Sequence, residues 1–248
     1  MILAVTPADI PSLVLAASGI FVLVAIVRRS RSGRPLLHVV ERPFRPVPPS
    51  TLLCVAAGLF LVTQSAQLVG LKIGGASGAA VRIAVPLVVS VLAGLLARRD
   101  VLLPRGSLAH RVGMGLLFLW AAFPLIYGTY VVCRLFGPEQ APVEEIRARA
   151  EGWQGLVLVA VLVAPVAEEI CFRGLLYPAL RQRFRALPAI LLTSIAFALV
   201  HLPPTTWLPL TILAVVLGWL VETTGSVVPC IAAHMAFNGL TVATLLLL

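Results

Sequence analysis

Two adjacent carboxylates and an arginine stand inside an apolar run of this sequence, in Ala164-Pro165-Val166-Ala167-Glu168-Glu169-Ile170-Cys171-Phe172-Arg173-Gly174. A charged side chain at the centre of a bilayer costs about 2.5 to 3.5 kcal/mol on insertion scales, so three together should face a protein interior or a wet cavity and mark function. Glu169 and Arg173 are four apart, which puts them on one helix face as an ion pair. Glu168 is turned by about 100° and points elsewhere. With no local cation, it is placed to work as a general base or acid. For Glu169 with Arg173, an architectural clip between helices is an equally good reading.

Two further spacings complete the set. His201 follows Phe197 by four residues, in Phe197-Ala198-Leu199-Val200-His201, and His234 precedes Asn238 by four, in His234-Met235-Ala236-Phe237-Asn238. Each pair shares a helix face. Histidine and asparagine both donate hydrogen bonds, and donors held in a dry site against an oxyanion contribute roughly 3 to 4 kcal/mol each. Taken singly, each residue is as well explained by interhelical polar contacts, worth about 0.6 kcal/mol on average in membrane proteins. Taken together, nearly every strongly polar side chain in three apolar runs falls into one Glu/His/His/Asn set. That chemistry fits hydrolysis of a peptide bond, with Glu168 as the base or acid and His234 with Asn238 suited to the charge that develops on a carbonyl. The levels must still match. Glu168 falls near mid-membrane, while His201 lies about 20 Å from the start of its helix, so tilt or a late helix start is needed. His38 and His110 sit among basic residues in loops and carry no chemistry.

The elements that position these residues follow from composition. The chain has 248 residues, 60% of them hydrophobic and 12% charged, with a mean hydropathy of +1.03. No water-soluble fold hides so much apolar surface. At roughly 20 residues per span, there is room for about seven or eight crossings and no separate soluble domain. The fold class expected is all-α, a polytopic membrane bundle of about eight transmembrane helices. A net charge of +9 would point to nucleic acid in a soluble protein. Here the basic residues lie between apolar runs, so membrane topology accounts for them and no nucleic-acid partner is expected. Cys54, Cys133, Cys171 and Cys230 are scattered and form no metal-type cluster, which reads as four small apolar residues.

Apolar runs at Ile10 to Val27, Thr51 to Leu71, Ala79 to Ala97 and Val112 to Phe136 make residues 1–136 a four-helix scaffold. Arg28-Arg29-Ser30-Arg31 follows the first run and no basic residue precedes it, the reverse of a signal-peptide layout, so it reads as a retained span. Gly33 to Pro49 is a linker, with Phe44 and its arginines suited to the headgroups. Residues 137–154 form a polar loop with a short interfacial helix. Residues 155–248 form the catalytic core, in which a helix from near Gly155 is kinked at Pro165. Runs at Leu187 to Leu202, Leu208 to Val221 and Val227 to Leu248 follow, with Glu222 to Ser226 as a turn. Placing Arg28 to Arg45, Arg98 to Arg111 and Arg181 to Arg185 on one side satisfies the positive-inside rule and leaves both termini outside. No internal repeat supports a transporter.

The three motifs resemble those of the CAAX protease and bacteriocin-processing family of intramembrane endopeptidases, whose signature is EExxxR, then FxxxH, then HxxxN. They stand here at Glu168 to Arg173, Phe197 to His201 and His234 to Asn238. The resemblance covers about Gly155 to Gly239. It implies an eight-helix bundle in which Glu168 and His201 activate water, His234 and Asn238 form the oxyanion hole, and Glu169 and Arg173 support the geometry. The expected substrate is a membrane-associated protein or peptide in a lipid bilayer, with no cofactor. The short loops look like those of a prokaryotic relative in the cell membrane, for which a prenylated substrate is not expected. Two alternatives remain open. One is a zinc peptidase using His201, His234 and a glutamate, although HExxH is lacking. The other is a non-catalytic immunity or scaffold protein.

Overall fold

The computed structural model describes residues 10–32, 48–96, 107–134, 157–201 and 204–246. Among these residues every element is helical, and eight helices follow one another as a bundle. The linker, the polar loop at 137–154, the loop after residue 96 and His38 lie outside the described residues.

Four helices form the first half: α1 (Ile10–Arg31), α2 (Pro49–Ile73), α3 (Gly75–Leu96) and α4 (Leu108–Arg134). The turn between α2 and α3 is tight because Gly74 and Gly75 take φ of 68° and 52°, a left-handed conformation with no Cβ penalty only for glycine. Helix contact is close as well. A Cβ on Gly70 would collide with the Arg82 stem and the Gly78 carbonyl, so small residues let α2 and α3 approach backbone to backbone. Arg82 itself is buried within α3. Tethering α1 to α4, the Trp120 indole Nε1 donates to Ser18 Oγ at 3.0 Å.

The second half begins with α5, a helix in four consecutive pieces: Val159–Val163 and Ile170–Leu176 are π-helical, and Ala164–Glu169 and Tyr177–Arg181 are α-helical. After a short turn come α6 (Ala186–Leu199), a single 3₁₀ turn (Pro204–Thr206), α7 (Trp207–Thr224) and α8 (Val228–Leu246). Gly225, at φ 76°, ends α7 in the left-handed conformation, and its N–H donates to Val221 O.

Polarity runs inside out. Glu169 and Arg173 are 0% exposed, whereas Phe21 is 78% and Leu95 73% exposed. A protein in water would invert that order. Ser12–Arg31, Leu108–Cys133 and Pro204–Thr224 are long and apolar enough to cross a membrane. Two apolar cores flank α5. Ala56, Phe60, Val89, Phe172 and Phe197 join α2, α3, α5 and α6, with Phe172 edge-on to Phe60 and Phe197 at 5.4 and 5.1 Å. Leu119, Ile190, Leu217 and Cys230 join α4, α6, α7 and α8. Where α4 meets α8, a Cβ on Gly115 would strike the Pro229 carbonyl.

Candidate functional site

Proline shapes the helix that carries the two glutamates. Pro165 has no N–H and its ring crowds the carbonyl four residues before it. The backbone answers by widening instead of breaking: the Ala164 N–H reaches back five residues to Val159 O, as in a π turn. The same combination recurs at Pro178, where the preceding Tyr177 N–H reaches Phe172 O. The expected disturbance at Pro165 is therefore a π segment, and Glu168 and Glu169 lie in the short α-helical piece between two of them.

The Glu169 carboxylate gathers the cationic side of the site. Arg173 Nη1 donates to Glu169 Oε1 at 2.9 Å, one turn along as the spacing predicts. Arg173 Nη2 donates to the Ala214 carbonyl of α7 at 3.2 Å. His234 Nδ1 lies 2.9 Å from the same Oε1, bringing in α8. Beside Arg173 the Glu169 carboxylate is an acceptor, so the Nδ1 of His234 carries the hydrogen. The Arg173 guanidinium also sits 4.8 Å from the Phe197 ring centroid, a cation–π contact. Phe197 is fully buried and forms the floor of the site, its ring 4.7 Å from that of His201 and 5.6 Å from that of His234.

Glu168 faces the other way, as a residue turned by about 100° must. Its Oε2 lies 3.8 Å from His201 Nε2 and 3.9 Å from His234 Nε2. Both distances exceed a direct hydrogen bond and suit groups that share one small polar guest. His201 Nδ1 is 2.7 Å from the Phe197 carbonyl, which can only accept, so here too Nδ1 bears the hydrogen. In both rings it is thus Nε2 that faces the Glu168 carboxylate. His201 is the more open of the two, its side chain 28% exposed against 3% for His234.

The level problem is resolved by the hairpin. Counted from the shared turn at residues 182–185, Glu168 and His201 both stand roughly 20 Å up antiparallel helices. Helix α6 ends at Leu199, so His201 lies just past the helix; its N–H donates to Ala198 O, and the Nδ1 contact keeps its ring on the Phe197 face.

Asn238 stands one turn from His234 on α8, and its Nδ2 donates to the Ala160 carbonyl of α5 at 2.8 Å. Its amide thus bonds backbone, while His201 and His234 converge on Glu168.

Two contributors were not legible as site elements in the sequence. The Trp207 indole donates to the His201 carbonyl at 2.8 Å, closing the loop that follows the histidine; no spacing rule joins residues six apart across a loop. Glu222, expected in a turn, is buried inside α7 and receives Tyr177 Oη at 2.5 Å and the Arg181 guanidinium at 3.0 Å. Gly225 was the signal that α7 continues through Thr224, since glycine commonly follows the last helical residue. Among the described cysteines, Cys171 and Cys230 are buried and form no disulfide, and the Cys230 thiol donates to the Leu217 carbonyl at 3.2 Å.

No curated protein and no solved structure matches the chain. Residues 151–240, which hold all three motifs and every side chain of the Glu168 and Glu169 clusters, match the model of the family described as Type II CAAX prenyl endopeptidase Rce1-like.

Proposed function

We propose that this protein is an intramembrane endopeptidase that hydrolyses a peptide bond of a membrane-associated protein or peptide. The observation that carries the reading is the convergence of Glu168 Oε2, His201 Nε2 and His234 Nε2, with both Nδ1 atoms already engaged. In this reading Glu168, aided by the His201 lone pair, takes a proton from a water that attacks the scissile carbonyl. His234, held by Glu169, donates to the oxyanion from Nε2 when that nitrogen already carries a proton, and Asn238 has a second amide hydrogen for the same oxygen. Glu169 and Arg173 hold the geometry. All eight helices cross the bilayer of a prokaryotic cell membrane with both termini outside, and the substrate enters between α5, α6 and α8.

A second reading is favoured by the same convergence. Two histidines and a glutamate are a zinc donor set, and histidines bound through Nδ1 to a carboxylate and a carbonyl are supported as zinc ligands usually are. Yet among the described residues no group of three such side chains is spaced to hold a metal ion. Tetrahedral bonds of roughly 2.0 to 2.1 Å would need the donors to close by about 0.5 Å. One experiment separates the readings: wild-type and Glu168→Gln proteins in proteoliposomes, assayed for cleavage of membrane peptides with and without a chelator. The proposal expects no cleavage by Glu168→Gln and unchanged cleavage by chelated wild type. Wild-type turnover by Glu168→Gln would sink it, and activity lost to the chelator and restored by zinc would install the metal.

A further inference from the structure

The hydrogen bond from Asn238 to α5 answers a specific vacancy in that helix's bonding. A carbonyl in an α-helix receives the N–H four residues on, and in a π-helix the N–H five residues on. For Ala160 these are residues 164 and 165. The Ala164 N–H goes to Val159 O, and residue 165 is a proline, with no N–H to give. Neither backbone donor that the register supplies reaches Ala160 O, and Asn238 Nδ2 takes the place at 2.8 Å. In lipid such a carbonyl is expensive to leave without a donor.

We infer that Asn238 is a positioning residue: its side-chain amide replaces the N–H that Pro165 removes, pins the π segment of α5 to α8, and so sets where Glu168 stands relative to the two histidines. Pro165 and Glu168 are three residues apart on one α-helical piece, so any shift of the backbone at Ala160 to Pro165 is passed directly to the carboxylate. On α8, Asn238 and His234 are one turn apart, and each bonds α5, the first at Ala160 and the second at Glu169. These two bonds lie on either side of Pro165 and clamp it.

The inference rests on the peptidase reading for its activity readout, and its logic supplies a test that does not. Replacing Pro165 with alanine restores an N–H at residue 165, so Ala160 O gains a backbone donor whether the helix keeps its π register or relaxes to α. Asn238 then has nothing to replace. Four full-length proteins are compared in proteoliposomes and in detergent: wild type, Asn238→Ala, Pro165→Ala and the double variant. Leaving a carbonyl unpaired away from water costs about 1 to 3 kcal/mol, so Asn238→Ala should lower kcat by roughly ten- to a hundredfold at unchanged peptide KM, and should lower the melting midpoint. In the Pro165→Ala background the same change should lower kcat at least about fivefold less than it does in wild type, leaving only any loss from the oxyanion contact, and should barely move the midpoint, a coupling between the two positions.

An asparagine acting only on the oxyanion would lose the same factor in both backgrounds, and a kcat loss from Asn238→Ala that shrinks less than fivefold on adding Pro165→Ala overturns the inference. If Asn238→Ala does not accumulate as folded protein, recovery of folded yield in the double variant is the same rescue, and failure in both backgrounds refutes it. Pro165→Ser supplies the same N–H if Pro165→Ala is itself poorly folded. Should no variant or wild type cleave any peptide, the peptidase reading fails alone, because the coupling of melting midpoints still decides the role of Asn238.

Discussion

Replacing Arg173 with methionine tests whether the buried charges are held as a unit. The arginine is fully buried, gives one hydrogen bond to Glu169 at 2.9 Å and one to Ala214 O at 3.2 Å, and lies over the Phe197 ring. Methionine keeps much of the volume and removes the cation, leaving the Glu169 carboxylate, also 0% exposed, with His234 as its remaining hydrogen-bond partner. Breaking a buried pair in this way costs about 3 to 5 kcal/mol. A lone acidic group in mid-membrane costs about 2.5 to 3.5 kcal/mol on insertion scales, so two separate routes agree on the size. The double variant Glu169→Gln/Arg173→Met removes both charges, and the glutamine carbonyl still accepts from His234 Nδ1. It should lose only about 1 to 2 kcal/mol, the cost of imperfectly matched hydrogen bonds. Equilibrium unfolding in detergent micelles measures both. A single variant within about 1 kcal/mol of wild type, or a double variant as unstable as the single, would refute the claim that Glu169 is a paired charge.

Trp207→Phe removes the indole N–H that holds the His201 carbonyl and keeps most of the ring. A lost hydrogen bond of about 1 kcal/mol predicts a fall in kcat of roughly fivefold with KM little changed, measured by peptide cleavage in proteoliposomes. Glu222→Gln should loosen the end of α5 from α7, since Tyr177 and Arg181 both bond that carboxylate, with a stability loss of about 1 to 3 kcal/mol by unfolding in micelles and no change in cleavage chemistry. A change in kcat with stability intact would show that this cluster acts on the site.

Much of the site was legible because helical periodicity is a local rule. The pairing of Glu169 with Arg173 needs only four residues of helix, and the opposite orientation of Glu168 needs only the next one. The same rule placed His201 on the Phe197 face, and the histidine keeps that face although α6 ends before it. Glu222 was misplaced because a polar run of Glu, Thr, Thr, Gly and Ser reads as a turn, while Tyr177 and Arg181 on α5 hold its carboxylate within the helix. Arg82 was passed over for the opposite reason, since one charge hardly lowers the hydropathy of the run around it.

What this sequence determines by itself is that its helices are apolar outside and polar at a few chosen depths, because composition and 3.6-residue spacing decide which face of each helix can meet lipid. It also names Glu168, Glu169, Arg173, His201, His234 and Asn238 as the residues at those depths. Only the tertiary structure decides which of them meet. The α5–α6 turn levels Glu168 with His201, Glu169 orients His234 through its Nδ1, and Asn238 finds a carbonyl on α5 that Pro165 has left without a backbone donor. These contacts join residues tens of positions apart. They depend on how helices pack and on where a backbone hydrogen bond is missing, and neither is written in the spacing along one helix.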